Sequence, residues 1–485
     1  MKGVPAHVQG GASRLAVVSS QLAVGFDLDM TLIDTVPGFA ATLRALGVEL
    51  GVEFPIEEMT ARLGPPLEHL LAPHLAADAV APAGDLFREL YLDHAITSVP
   101  ALPGAHEALA AVRRHRGRIV LVTGKFPRNA QLHVEHVGLD VDLVEGWVWG
   151  VGKAEVLRRE GVSVYVGDHV HDVEGARAAG ALSVSVLTGG CTREELVEAG
   201  TDVVLESLEA FPAWLDEHLL TSRLDALERD LATRGSVLVA YSGGADSAFL
   251  LAAAVRALGP EHVLAATGYS DSLPEVERGP ARGFAEGLGV ELLTPATHEM
   301  ERAGYRANAG DRCFFCKAEL IEVLTPLAQE RGIATVATGT NADDAVAGFR
   351  PGIRAADERG AAAPLRDAGL TKAQVREASR RWGLPTWDKP AAACLSSRVA
   401  YGVAVTPHRL ARVERAEAAA RRVLGARVSN LRVRDLGDRA SVEIDRDLLP
   451  LADEATLVDA VRAAGFDEAV VDPKGFRSGS MNEAL

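Results

Sequence analysis

The run Ser242-Gly243-Gly244-Ala245-Asp246-Ser247 closes one apolar stretch, Val237 to Tyr241, and opens another, Ala248 to Val255. That order predicts a strand, a tight loop and a helix. Glycines at 243 and 244 reach dihedral angles closed to other residues and let backbone N–H groups face a bound anion. Ser242 and Ser247 add hydroxyl donors, and the helix N-terminus adds partial positive charge. The loop suits pyrophosphate. It lacks the Gly-Lys-Ser/Thr ending of a Walker-type loop and is therefore a different phosphate cradle.

A second set of groups is acidic. Asp27 and Asp29 end the apolar run that begins at Val24, and their spacing in an extended segment puts both on one side. Further on, Ile119 to Val122 leads to Thr123-Gly124, and Lys153 stands before a helix. Val162 to Val166 then leads to Gly167-Asp168, with Asp172 four residues on. Each polar group falls just past the C-terminal end of a predicted strand, which is where an open parallel sheet binds ligands.

The third set is sulfur. Cys313 and Cys316 form a Cys-x-x-Cys pair, and Cys394 stands alone in the turn-rich run Lys389 to Arg398. Zinc wants four ligands in a closed site, and neither a fourth cysteine nor a spaced histidine pair completes one. Thioredoxin-like redox chemistry would need a strand-to-helix signature that is missing before the pair. Three thiolates suit an iron–sulfur cluster with one iron left open.

The elements that must position these groups alternate between strand and helix, which predicts an α/β fold. A chain of 485 residues has room for two or three domains, each with its own core. The composition, 48% hydrophobic and 24% charged, is that of a globular protein. A formal charge of −17 argues against a broad nucleic-acid or anionic-membrane surface. No apolar run has the length to span a bilayer, and no signal-peptide layout precedes the first strand. Four scattered cysteines make no disulfide framework, so the expected compartment is the cytoplasm.

The first half resembles the haloacid-dehalogenase-like phosphatases in all four of their motifs, over roughly residues 20–215. The resemblance implies a Rossmann-like domain over 21–216, after an extension at 1–20. It implies a small helical cap at about 36–100, whose Leu63-Gly64-Pro65-Pro66-Leu67-Glu68 is similar to that of phosphoglycolate-phosphatase-like members. It casts Asp27 as nucleophile and Asp29 as general acid and base. Thr123 and Lys153 would hold the phosphoryl group. Asp27, Asp168 and the Asp29 carbonyl would ligate Mg²⁺, with Asp172 in support. A cap implies a small substrate. His169 and His171 fit no ligand pattern and are expected to touch solvent or the cap, and Cys191 is expected to be an incidental loop thiol.

The second half resembles the PP-loop enzymes that split ATP between the α and β phosphates, and among them the LarE-type ATP-dependent sulfur transferases. The likeness covers residues 222–485. It runs through Ser242 to Ser247, Asp311 to Lys317, Thr338 to Asp344, Arg350-Pro351-Gly352, Leu384 to Pro390, Cys394 to Arg398 and Gly475 to Asn482. Ala309 departs from a frequent proline and bears on a loop alone. The resemblance implies a PP-loop domain over 222–400 and a small α+β part for substrate binding or oligomerisation over 401–485, in a homo-oligomer. It implies ATP bound by Ser242, Gly243, Gly244, Asp246 and Ser247. A pyridinium dicarboxylate mononucleotide would be adenylated and then thiolated, as in nickel-pincer cofactor biosynthesis. Arg398, Arg432, Arg434 and Glu443 are the substrate candidates.

The sulfur comes by one of two routes in this family. Either a cysteine at the place of Cys394 is sacrificed, or Cys313, Cys316 and Cys394 hold a four-iron–four-sulfur cluster that passes on a sulfide. The full set of cysteines favours the cluster. Two alternatives compete with the whole reading: a tRNA-thiolating PP-loop enzyme, which lacks a visible basic RNA platform, and a nucleotide-sensing regulator with a vestigial phosphatase. The phosphatase is expected to act on a small phosphate compound of the same pathway, pyrophosphate or a mononucleotide, ahead of phosphoglycolate.

Overall fold

Short runs of branched and small apolar residues build the strands, and the central ones Ala23–Phe26, Val164–Gly167 and Val237–Ala240 are buried along their whole length, as parallel strands covered on both faces must be. The computed structural model describes residues 22–61, 66–390 and 393–477. The expected extension at 1–20, the Leu63-Gly64-Pro65 part of the cap motif and the terminal Ser478 to Asn482 lie outside the described residues. The chain divides into two units, Met1–Leu219 and Leu220–Leu485.

The first unit holds six parallel strands: β1 (Ala23–Phe26), β2 (Arg118–Val122), β3 (Leu143–Glu145), β4 (Val164–Gly167), β5 (Leu182–Val186) and β6 (Val203–Leu205). Their order is β3-β2-β1-β4-β5-β6, the doubly wound arrangement, with the direction of winding reversing between β1 and β4. Two apolar clusters centred on Phe26, Leu121 and Val166 and on Val120, Leu157 and Tyr165 cover its faces. Between β1 and β2 lie the helices Val36–Leu50, Ile56–Thr60, Leu67–Leu71 and Val80–His94, which share a core of their own around Leu43, Phe54, Leu71 and Phe87. That is the expected helical cap.

The second unit holds four parallel strands, β7 (Val237–Ala240), β8 (Val263–Ala266), β9 (Glu291–Leu293) and β10 (Thr335–Thr338), ordered β10-β7-β8-β9. A separate sheet pairs β11 (Leu431–Asp435) antiparallel with β12 (Arg439–Ile444), and β12 parallel with β13 (Glu468–Val471). The helices Pro407–Leu424 and Glu454–Arg462 cover it around Leu410, Val433 and Leu457. The fold is α/β in both units, with a smaller α+β part at the end of the second.

One helix, Phe211–Arg234, is 24 residues long. Beyond Pro212 it contains neither proline nor glycine, so nothing in its sequence stops it. Among the described residues no helix is long and apolar enough to cross a membrane.

Candidate active sites

The register of the first sheet decides what meets. Phe26 pairs with Leu121 on one side and Val166 on the other, so the ends of β1, β2 and β4 come level. Asp27, Thr123 and Asp168 leave those ends together. Lys153, at the start of the helix Lys153–Arg159, donates to Asp27 Oδ1 at 2.7 Å, Asp172 Oδ1 at 2.6 Å and the Tyr165 hydroxyl at 2.9 Å. Asp172 is fixed as part of a capping box: its Oδ2 accepts from the His169 backbone N–H at 3.1 Å. Thr31 donates to Asp168 Oδ1 at 2.8 Å.

This is a buried and crowded set of charges. Burial raises Asp27 to about 7 against the pull of Lys153, with Asp172 and Asp29 adding to the rise. Burial pushes Asp168 well above the usual carboxylate range, and Asp172 and Asp27 push it further. Burial works against the Lys153 ammonium, yet Asp172 and Asp27 hold it well above its ordinary value. Asp27, Asp168 and Asp172 each offer an oxygen, all within 4.8 Å of one another. Three carboxylates against one ammonium leave an excess of negative charge, and an all-oxygen donor set fits a hard divalent cation.

Asp29 lies nearer the solvent, with 31% of its side chain exposed. Lys125 stands 2.6 Å from its Oδ1, and Thr123 Oγ1 reaches its Oδ2 at 3.5 Å. Lys125 also donates to the Tyr91 hydroxyl at 2.9 Å, and that oxygen meets His133 Nε2 at 2.9 Å. Tyr91 belongs to the cap helix Val80–His94, so cap and acid are joined through one lysine. Sequence reasoning missed Thr31, Lys125, Tyr91 and Tyr165. The first two had a signal, each standing two residues past a motif residue; the tyrosines had none. His169 caps the helix Val170–Ala179 and accepts from the His171 backbone at 3.2 Å. Burial raises the Cys191 thiol.

In the second unit the Ser-Gly-Gly loop leaves β7 at the point where its neighbours β8 and β10 wind in opposite directions. Gly243 has φ +73°, and a Cβ there would meet the Ala281 side chain at 3.2 Å. Ser247 Oγ accepts from the Ser242 N–H at 3.2 Å and lies 3.1 Å from Ser242 Oγ, so the loop curls over the helix Ala245–Leu258. Gly339, after β10, comes so close that a Cβ would lie 2.8 Å from the Ser247 nitrogen. Lys389, which carried no role in the sequence reading, donates to the Gly243 carbonyl at 2.9 Å and to Glu277 at 2.7 Å. Burial raises Asp246, whose Oδ1 is a buried atom without a hydrogen-bond partner.

A cavity of about 320 Å³ opens on this loop and is also lined by Cys316, Lys317, Glu299 and Cys394. The Cys394 turn is held from several sides. Arg398 donates to the carbonyls of Ala393 and, at 2.9 Å, Cys394, and to Glu417 at 2.9 Å. The Leu395 N–H donates to the Ser272 carbonyl at 2.8 Å, and Arg312 to the Ser396 carbonyl at 2.7 Å. Burial lowers Lys317 and raises Cys316, and Cys394 adds to the rise at Cys316.

Electrostatic reach is not ligand geometry. Cys313 is exposed at the first turn of the helix Arg312–Glu330, while Cys316 and Cys394 face the cavity. Among the described residues the only set of ligand atoms gathered within 4.8 Å is the aspartate triad. The expected four-iron–four-sulfur cluster is not supported by this arrangement.

The arginine candidates do not line the cavity. Arg432 and Arg434 share one face of β11, and Arg432 pairs across the sheet with Glu443. Arg434 donates to Glu443 at 2.8 Å and to the Ser397 carbonyl at 3.2 Å. Burial lowers Arg432 to about 10, and the neighbouring Arg398 and Arg434 lower it too.

Comparison with known proteins divides the chain in a similar way. Residues 24–177 match the family described as haloacid dehalogenase-like hydrolase, and residues 154–211 one described as HAD-hydrolase-like. The chain is similar to a plasmid-borne phosphoglycolate phosphatase of Cupriavidus necator, with 31% identity over 40% of this chain and 92% of that protein. It is similar to the pyridinium-3,5-bisthiocarboxylic acid mononucleotide synthase of Lactiplantibacillus plantarum, with 32% identity over 51% of this chain and 90% of that protein. The uncharacterized protein slr1717 of Synechocystis shares 38% identity over 55% of this chain and 99% of its own length.

Proposed function

Because the chain belongs to the haloacid dehalogenase-like hydrolases and, in its second half, to the family of the pyridinium-3,5-bisthiocarboxylic acid mononucleotide synthase, we propose a bifunctional enzyme. One activity is a phosphohydrolase and the other an ATP-dependent sulfur transferase.

The observation that supports the phosphohydrolase is the contact of one buried lysine, Lys153, with both Asp27 and Asp172 at level strand ends. Asp27 attacks phosphorus and forms an aspartyl-phosphate as the ester bond breaks. Asp29 gives a proton to the leaving oxygen and then takes one from the water that releases phosphate. Lys125 beside it keeps Asp29 oriented. Thr123 and Lys153 hold the phosphoryl oxygens. Asp27, Asp168, Asp172 and the Asp29 carbonyl would hold Mg²⁺, which when bound offsets charge on the phosphoryl group.

The observation that supports the sulfur transferase is the shared cavity of the Ser242–Ser247 loop and Cys394. A substrate carboxylate attacks the α phosphate of ATP, and pyrophosphate leaves into the loop, where backbone N–H groups and hydroxyls stabilise its charge. The acyl-adenylate is open to attack by Cys394, which displaces AMP and forms a thioester. Removal of the Cα proton with cleavage of the Cβ–S bond then yields a thiocarboxylate and leaves the Cα=Cβ double bond of dehydroalanine at 394. Arg398, Arg432 and Arg434, with Glu417 and Glu443 beside them, attract the phosphate of a pyridinium dicarboxylate mononucleotide.

Incubation with ATP and that mononucleotide tests the reading. AMP, pyrophosphate and a thiocarboxylate are expected, with protein mass falling by one H₂S. Release of ADP and phosphate would overturn adenylation, and an active protein of unchanged mass would overturn the sacrifice of Cys394.

A further inference from the structure

The cavity in front of Asp27 has two chemistries. Its floor is the polar set already described. Its outer wall is aromatic, lined by Phe39, Phe87, Tyr91, Phe126, Trp147 and Trp149. Trp147 meets Trp149 edge to face at 4.9 Å and Phe126 at 5.5 Å. Phe87 and Tyr91 belong to the cap core, but Phe126 is 43% exposed, Trp147 49% and Trp149 40%. A cluster of exposed rings beside a reactive centre marks a surface that something else covers. The cavity measures about 540 Å³. That lies within the range of roughly 300–1,000 Å³ typical of pockets for cofactor-sized ligands. A phosphoryl group by itself needs only the floor.

Charge says what the outer wall will not take. Among the described residues the cations lining the cavity are Lys153, Lys125 and Arg88. Lys153 is held by Asp27 and Asp172, Lys125 by Asp29, and Arg88 by Glu68 and, at 3.1 Å, Asp85. Each is already neutralised by a carboxylate. The lining carboxylates Asp27, Asp29, Glu68, Asp168 and Asp172 outnumber those cations. A leaving group with a carboxylate or a second phosphate would meet no spare positive charge beyond the floor among the described residues. The ring faces carry negative quadrupole charge and favour a neutral or cationic π system. Arg88, 5.6 Å from the Trp147 ring centroid, already uses that attraction.

We infer that this site, resting on the phosphohydrolase reading above, hydrolyses mononucleotides whose ring is uncharged or cationic, in preference to 2-phosphoglycolate and pyrophosphate. The Asp27–phosphorus bond forms as the phosphorus–ribose oxygen bond breaks, and the ribose oxygen takes the Asp29 proton. Water then supplies the oxygen that leaves as inorganic phosphate and returns a proton to Asp29. The ring rests against Trp147 and Trp149 throughout.

The test is phosphate release by the full chain with Mg²⁺ from AMP, nicotinamide mononucleotide, nicotinate mononucleotide, 2-phosphoglycolate and pyrophosphate. The two mononucleotides with neutral or cationic amide-bearing or adenine rings should show kcat/KM at least about ten-fold above phosphoglycolate and pyrophosphate, and the nicotinamide form should exceed the nicotinate form. Trp147→Ala should shrink the ratio of AMP to phosphoglycolate turnover about ten-fold, and Trp147→Phe should restore most of it. A preference for phosphoglycolate or pyrophosphate, with Asp27→Asn inactive, overturns this inference and leaves the phosphohydrolase reading intact. An equal loss on all substrates in Trp147→Ala also overturns it. Phosphate release that survives Asp27→Asn, or none from any compound, overturns both.

Discussion

The two sheets share a winding pattern and fill its reversal point with opposite materials. Between β1 and β4 the groups that meet are charged side chains, Asp27, Lys153, Asp168 and Asp172, packed so tightly that each sets the ionisation of the next. Between β7 and β10 they are glycines, hydroxyls and a helix N-terminus, with little net charge of their own. The first arrangement can act as nucleophile and metal ligand, and it fails when a charge is removed. The second can receive the charge of a departing phosphate, and it fails when the backbone is moved.

The largest effect should follow the nucleophile. Asp27→Asn should lower phosphate release at least about a thousand-fold while AMP formation stays within about two-fold of wild type. Equal loss of both activities would mean that the two sites are not independent.

Lys153→Met strips the first site of its cation and leaves Asp27 and Asp172 buried together. Removing one partner of a buried pair costs about 3–5 kcal/mol. Calorimetry should show the first unit melting roughly 10 °C lower, with the second unit's transition in place. An unchanged melting profile would remove Lys153 from its structural role.

Gly339→Ala sharpens the contrast from the other side. Its Cβ would press on the Ser247 backbone, and a displacement of the loop should slow AMP formation about a hundred-fold. Phosphate release should not change. Normal AMP formation in this variant would show that the loop position is not critical.

The smallest effect concerns pH. Burial, with Lys125 nearby, lowers His133 to about 3, so it is neutral in the folded state. The unfolded chain binds the extra proton below its ordinary 6.5, and stability is lost as pH falls from there toward 3. One pH unit below the unfolded value the loss is about 1.4 kcal/mol. Urea midpoints of wild type and His133→Gln between about pH 7 and pH 5 should differ in slope, with the variant the flatter. Parallel lines would show that another group governs the acid response.

Some of this was legible in the chain itself. Asp27 and Asp29, Ser242 to Ser247 and the Cys-x-x-Cys pair are local patterns. The step of a strand or the pitch of a helix fixes which neighbours share a side. The α/β alternation was readable for the same reason, because periodicity reports burial, and the helical cap followed from the family resemblance. The extent of one helix was not readable: Phe211–Arg234 continues through a stretch where only the lack of a breaker could have told.

By itself the sequence determined which residues could do chemistry and that strand ends would present them. Only the tertiary structure decided which ends meet. Lys153 and Asp27 lie 126 residues apart, and Thr31 and Asp168 lie 137 apart. Their contact depends on β1 pairing with both β2 and β4, an order that no local pattern encodes. The same holds for Tyr91 on Lys125, Lys389 on Gly243 and the aromatic wall above Asp27. Types and spacing are set along the chain, whereas pairing comes from burying apolar faces in three dimensions, and that free energy belongs to the whole fold.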